Sequence, residues 1–346
     1  GLQSLTSLSI TNYEYKTMDL SYLRELTNLT ELFIGSGCFK KLDTLKNLTN
    51  LEKLTISGLQ NNADLESVSR LVNLKYLNIS GNPIYDISAL STLVNLETLD
   101  LSGCQKWDFD QDIITPLEDL SPLEGMTKLK TLSIRKLITV PNLDALRNLP
   151  IETLDLTQCG IAGPINTLRE MKSLKYLNLS GMVALSNEEL QYIANLTSLE
   201  RLNLSSCTRI DDISILAGLT NLNRLDLAYT RVSDISKISA LKNLQVLNLN
   251  GTSVNSIESL VNITQLKSLA IKSCFWTLED LGPLSALEQL MVLDVSHYEL
   301  DNIDFLLPVR NLRILDLTWL IYSQVDYDAI YGTIGTLKER ACIVLD

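Results

Sequence analysis

The sequence predicts an α/β solenoid: a stack of coils with a parallel sheet of about fourteen short strands along one face. Three observations predict it. A six-residue frame, L-x-x-L-x-[LI], returns along nearly the whole chain. Most steps between copies are 22 to 25 residues, the length of one turn of a coil rather than of a domain. The 346 residues are 45% hydrophobic but only 6% aromatic, so the core is aliphatic.

The frame begins with "LTSLSI" at 5, "LTELFI" at 29, "LEKLTI" at 51, "LKYLNI" at 74 and "LETLDL" at 96. It runs on through "LERLNL" at 199 and "LNRLDL" at 222 to "LRILDL" at 312, fourteen copies in all. Each supplies one strand whose alternate residues face in and out, so Leu202 and Leu204 point inward while Arg201, Asn203 and Ser205 point outward. One coil alone cannot bury its leucines, and stability must come from the interfaces between neighbours. The other half of each repeat carries a second apolar ladder, as in "IDDISIL" at 210 and "VSDISKI" at 232, followed by L-x-N-L.

This pattern resembles the leucine-rich repeat family over residues 2 to about 320. It is similar in particular to the short-repeat class of bacterial internalins and of a eukaryotic phosphatase regulator, where the return segment is a brief 3-10 turn; the resemblance implies a curved horseshoe with the parallel sheet on its concave side and mostly 3-10 or short helical segments on its convex side. Residues 1–320 are expected to form the solenoid, with a longer irregular repeat at 103–128, and residues 321–346 a C-terminal cap made of an amphipathic segment and a short strand. "NEELQYIANL" near 188 has room for α-helical turns, with Asn187 as the cap and Glu188 and Glu189 favourable at the N-terminus. Gly1 reads as the trimmed start of a longer chain.

The resemblance also bears on the cysteines. Three residues after the second strand leucine the family usually places an inward Asn, with Cys as a common substitute. Here Asn82 holds that place once, Cys104, Cys159, Cys207 and Cys274 hold it in four repeats, and Thr230 and Thr252 in two. These cysteines are therefore expected to pack as small apolar groups. Disulfides among them would have to span two or more strand spacings of about 4.8 Å, beyond the roughly 7 Å limit on Cα separation. No C-x-x-C motif suggests zinc.

The net charge of −12 and the lack of a basic block argue against nucleic acid, which binds through Lys and Arg. No apolar run approaches the roughly 20 residues of a membrane span. The single histidine, His297, leaves little for nucleophilic catalysis, and "YGTIGTLK" at 331 lacks phosphate-loop spacing, so no enzyme, cofactor or metal is expected. Eight N-x-[ST] sequons, three of them on strands at Asn78, Asn178 and Asn203, favour a bacterial or cytosolic origin over a eukaryotic secretory one.

Candidate binding residues come from the outward positions. Asp226, Asp294 and Asp316 belong to a column that runs along the strands. Asp294 and Asp316 are on adjacent repeats, read either as a solvated ladder or as a site for a cation or basic ligand. Two positions earlier, Arg201 and Arg224 are also on adjacent repeats, and Arg224 can pair with Asp226 on one strand. Just past the strands come Tyr229, Trp276, His297 and Trp319, aromatic residues on one rim; they mark either a binding hot spot or a cover for the open end of the core. Trp107, in the 33-residue step between Leu99 and Leu132, is expected on a projecting loop.

The leading functional reading is a non-catalytic, monomeric scaffold on a bacterial surface that binds a protein or peptide through its concave face and C-terminal rim. An intracellular regulatory scaffold, which free thiols favour, and the recruiting part of a larger effector enzyme are the alternatives.

Overall fold

The computed structural model describes residues 2–12, 16–35, 37–57, 59, 65–108, 112–117, 119–139, 142–160, 165–274, 278, 280–298, 300, 302–319 and 327–345. It divides into two compact units, Gly1–Leu174 and Lys175–Asp346. In the first, the repeated frames form a parallel sheet that begins with Ser7–Thr11, Glu31–Gly35 and Lys53–Ile56 and ends with Thr131–Ser133 and Thr153–Asp155. In the second, parallel strands run from Tyr176–Asn178, Arg201–Asn203 and Arg224–Asp226 to Ile314–Asp316.

Register follows the leucines. Leu132 pairs with Leu99 and Leu154, and Leu225 with Leu202 and Leu247; all six are at most 1% exposed. A slip of one residue would turn every such leucine into solvent, which fixes the pairing. The return segments are short 3-10 helices such as Ser88–Thr92, Ser214–Gly218 and Ser236–Ala240, as the sequence predicts. Their starts are set by an acidic residue two positions earlier: Asp86, Asp212 and Asp234 accept the backbone N–H of Ser88, Ser214 and Ser236 at 2.7–2.8 Å. Those backbone bonds hold the Asp212 and Asp234 carboxyls below the usual range. Part of the chain's acidity is therefore turn chemistry.

Where L-x-N-L keeps its Asn, that residue ties its coil to the one before. Asn50, Asn73 and Asn95 donate through Nδ2 to the carbonyls of Thr27, Thr49 and Val72, and Asn221 and Asn243 to those of Thr197 and Thr220, all at 2.7–2.9 Å.

Three sequence expectations need correction. The α-turn Asn187–Leu190 is capped by Ser186, not Asn187: the Ser186 backbone N–H donates to Glu189 Oε2 at 2.9 Å and its hydroxyl donates to the same oxygen. Asn187 instead reaches the next coil, donating to Asp211 Oδ1. The segment around Trp107 is not simply a projecting loop but an antiparallel ribbon, with Lys106–Asp108 paired to Ile113–Thr115 and Trp107 opposite Ile114; the Trp107 side chain, like Phe109, lies outside the described residues. The third, an ion pair, belongs to the site below.

After Ile314–Asp316 the chain forms the helix Tyr327–Glu339 and the strand Ile343–Leu345, which extends the sheet of the second unit in parallel. Ile330, Ile334 and Leu337 recur at i, i+4 and i+7 and are buried. Arg340 Nη1 donates to the Leu307 carbonyl at 2.6 Å, and Thr333 donates to Asp304.

Candidate functional site

Cys207 lies in the slot where the sequence places it. Its Sγ donates to the carbonyl of Leu179, the second strand leucine of the preceding coil, at 3.1 Å. Cys104 does the same to Ile79 and Cys274 to Leu249, at 3.1 and 3.0 Å. Asn82 makes the equivalent bond to Ile56 at 2.9 Å, but also donates to Ile79 and accepts from the Leu59 N–H. A thiol thus replaces one of the amide's bonds and fills the space of the rest. Burial pushes the thiols up, to about 12 for Cys104 and Cys159 and about 11 for Cys207, so they are neutral and poor nucleophiles. All six cysteines are free, Cys38 being the exposed one.

The outward column also has structural duties that spacing does not reveal. Asp226 Oδ1 accepts the N–H of Ala228, Asp294 Oδ1 that of Ser296 and Asp316 Oδ1 that of Thr318, at 2.9–3.0 Å. Asn178 and Asn203 make the same bond two residues on. Each short acidic or amide side chain bends the chain off its strand, which explains why the column is restricted to such residues in so many coils. Asp294 and Asp316 are neighbours in register, as expected, but each gives one carboxylate oxygen to its own turn. Among the described residues no group of three His, Cys, Asp or Glu side chains is arranged to hold a metal ion.

The turn that follows has one left-handed residue, two positions past the second strand leucine. In the second unit this position is Gly181, Ser206, Tyr229, Gly251, Ser273, His297 and Trp319, with φ between 58° and 71°. The conformation lets the strand end fold inward while its N–H still bonds to the next coil: Tyr229 to the Asn250 carbonyl at 2.7 Å, His297 to that of Thr318 at 3.0 Å. Glycine takes this φ freely, whereas an L side chain there costs about 1 kcal/mol. Three of the largest side chains nevertheless occupy it. Trp319 is 76% exposed and Tyr229 58% exposed, and the His297 and Trp319 rings stack at 6.1 Å with 28° between their planes. Tyr229 lies flat against Gly251, where a Cβ would stand 2.6 Å from the ring. Trp319 does not cover the core. Tyr298, beside this row, is buried, with its hydroxyl beside the Cys274 thiol, and burial pushes its own proton affinity up. Trp276 lies outside the described residues.

On the strand face of the same unit, Tyr176, Arg201 and Arg224 stand in register on successive strands. They edge a groove of about 350 Å³ with Asn203, Asp226 and Asn248 along it and Ser268 and Ala270 at its end. Arg224 does not pair with Asp226, contrary to the sequence reading. Two residues along an extended strand separate their stems by about 6.6 Å, and the side chains rise side by side from the sheet. Asp226 Oδ2 is taken instead by the Asn248 amide at 3.2 Å. The Arg201 guanidinium lies over the Tyr176 ring, 5.3 Å from its centroid.

Stacked coils with buried leucine frames and a variable outward face define a repeat-built interaction scaffold. Residues 142–331, more than half of the chain, match the family model described as "At1g61320/AtMIF1, LRR domain", and residues 72–113 match "Leucine Rich repeats (2 copies)". The chain therefore belongs to this leucine-rich repeat family. No curated protein sequence matches it. Among solved structures, a Leptospira interrogans leucine-rich repeat protein aligns with a TM-score of 0.59 at 17% identity, over 99% of this chain and 96% of its own. The plant peptide hormone receptor RGFR1, solved in complex with RGF2, aligns with a TM-score of 0.58 at 19% identity, over 92% of this chain and 52% of its own. An internalin, inlF, of Listeria monocytogenes str. 4b F2365 aligns with a TM-score of 0.49 at 23% identity, over 99% and 81%.

Proposed function

We propose that the protein is a non-catalytic scaffold that holds a protein or peptide on the strand face and strand-end row of residues 175–346. The observation that carries this reading is the placement of Tyr229, His297 and Trp319 at left-handed positions, two of them largely exposed. Each costs backbone energy, and burial does not repay it for Tyr229 or Trp319. Exposed, rigid aromatics are the side chains richest in binding energy. Trp276, three residues after Ser273 of the row, is kept as a candidate contact from the sequence, and Asp294 and Asp316 offer their second carboxylate oxygens on the strand face. Trp107, on its ribbon in the first unit, offers a second contact. The plant receptor of similar fold, solved with its peptide hormone, supports a peptide as one class of ligand.

A bacterial surface is the proposed location and the monomer the proposed state, with residues 321–346 as the cap of the solenoid. No helix among the described residues is long and apolar enough to cross a membrane. Six free thiols, five of them buried, favour the second reading, a regulatory scaffold in a reducing cytoplasm.

Affinity capture tests both. The bait is the parent chain beside a variant with Tyr229, His297 and Trp319 changed to Ala, presented to host-surface proteins and to bacterial cytosol. A surface protein held by the parent and released by the folded variant is expected. A cytosolic protein with the same dependence moves the function inside the cell. Equal retention by both baits would remove the strand-end row from the site.

A further inference from the structure

Arg201 and Arg224 face each other on adjacent strands, about 4.8 Å apart at the backbone, and both are exposed. Among the described residues, neither enters an ion pair; the pairs formed are Lys40–Asp19, Lys46–Asp43, Lys75–Glu52, Arg135–Asp155 and Arg147–Asp144. Carboxylates are not scarce, since the chain carries 41 Asp and Glu against 29 Lys and Arg. The one acid in reach along the groove, Asp226, is occupied by the Ala228 N–H and the Asn248 amide. Two adjacent cations with no anion between them repel each other, so this arrangement costs the free protein and rewards a ligand that bridges them. Asn203 turns its Oδ1 to the Ser205 N–H at 2.8 Å, which leaves its Nδ2 as a donor into the same groove.

We propose that Arg201 and Arg224 form a receptor for a carboxylate carried by an extended peptide, with Tyr176 as the shelf that orients Arg201 and Asn203 as the reader of a neighbouring peptide carbonyl. The proposal rests on the strand face being the ligand face. A carboxylate has two oxygens in a plane and takes one guanidinium fork on each, a geometry in which charge-assisted bonds are strongest. The Tyr176 ring beneath the Arg201 guanidinium restrains that side chain, so less of its freedom is lost on binding. A phosphate dianion would fit the forks too, but the field of a chain with net charge −12 opposes two charges twice as strongly as one. The carboxylate has two sources, an Asp or Glu side chain or a free peptide C-terminus.

The test uses a random decapeptide library prepared in two forms, with a free C-terminal carboxylate and with a C-terminal amide. Both are selected on the full chain, on the double variant Arg201→Gln, Arg224→Gln and on Lys136→Gln. The parent is expected to enrich Asp or Glu at one position in both libraries if the source is a side chain, or to enrich peptides from the free-acid library alone if it is the terminus. Resynthesised winners should bind the double variant at least about tenfold more weakly, the loss expected for charge-assisted bonds, and should weaken as salt rises. Lys136→Gln, which removes an exposed cation of the first unit, should keep the carboxylate selection. Winners with no carboxylate preference, or with the same preference on the double variant, overturn the receptor and leave the scaffold reading standing. Tighter binding of a matched phosphoserine peptide overturns the choice of carboxylate. If neither library yields a binder, the strand face is not a peptide site and the inference falls with it; the strand-end row is then judged by affinity capture alone. Both arginines are exposed, so the double variant should fold, and circular dichroism checks that it does.

Discussion

Lys136 and Trp319 occupy the same backbone position in two coils, with φ of 57° and 60°. Among the described residues of the first unit this left-handed row holds Gly81, Gly103, Lys136 and Gln158; in the second it includes Tyr229, His297 and Trp319. The strand faces differ in the same direction. Arg135 of the first unit lies 3.9 Å from its carboxylate, Asp155, and Lys75 lies 2.8 Å from Glu52, whereas Arg201 and Arg224 have no such partner among the described residues. Both units solve the same folding problem with the same turn, so the fold does not dictate the aromatics or the unpaired arginines of the second. Where a scaffold leaves a position free, the residue placed there against a local cost reports on something outside the scaffold.

The comparison can be broken or sharpened at three levels. The largest effect is expected at the inward slot. Asn82→Ala strands the Leu59 N–H and the Ile56 carbonyl in the core and should cost about 3 kcal/mol, whereas Cys207→Ala loses one weak bond and a small cavity, about 1 kcal/mol. Urea midpoints measure both, and equal losses would mean that the thiol does the amide's full work. The slot also has a chemical readout. In the native protein iodoacetamide at pH 8 should label Cys38 and leave Cys104, Cys159, Cys207 and Cys274 until the chain is unfolded. Their folded pKa values are raised, so the unfolded chain gives up these protons first. The stability they contribute is complete below the ordinary thiol pKa near 8.5 and drains away as pH climbs toward 12. A pH series of melting temperatures should fall on that side.

The middle effect is at the left-handed row. Lys136→Gly relieves about 1 kcal/mol of backbone cost and should raise stability, and Trp319→Gly relieves the same cost but gives up the stack on His297, so its gain should be smaller. Only the tryptophan change should weaken partner retention. A loss of retention with Lys136→Gly would erase the distinction between the units. The smallest effect is at the arginines: Arg201→Gln and Arg224→Gln should shift stability by less than about 0.5 kcal/mol, and upward if the two charges repel in the free protein. A clear destabilisation would show that they are structural.

Much of this was legible in the residues. The leucine frame specifies strand, register and burial together, because only one phase of a period-2 pattern can face the core. The inward cysteines were legible once aligned with Asn82. The α-turn at 187 was half legible; "SNEE" holds a Ser-x-x-Glu capping box that starts one residue before Asn187. The duty of the outward Asp column was not legible, because an Asp that faces a ligand and an Asp that accepts its own turn's N–H have the same spacing. The left-handed row left a trace: Gly81, Gly103, Gly181 and Gly251 fall in register with Tyr229, His297 and Trp319, and a glycine shared by a row of coils marks a φ that the others must also adopt. The unpaired state of Arg224 depends on how far side chains reach, which the order of residues does not record.

The asparagine bonds that link coils to their predecessors have one more consequence. Asn73 reaches back 24 residues to Thr49, and Asn243 reaches back 23 residues to Thr220. Each coil tied in this way closes a loop of nearly the same length, and the entropy of closing it does not depend on how many coils came before. A gene that duplicates or deletes one such unit changes the number of positions on the outward face without changing the difficulty of folding any of them. The surface can lengthen, shorten or exchange segments by recombination, each coil arriving with its own left-handed socket ready to be filled.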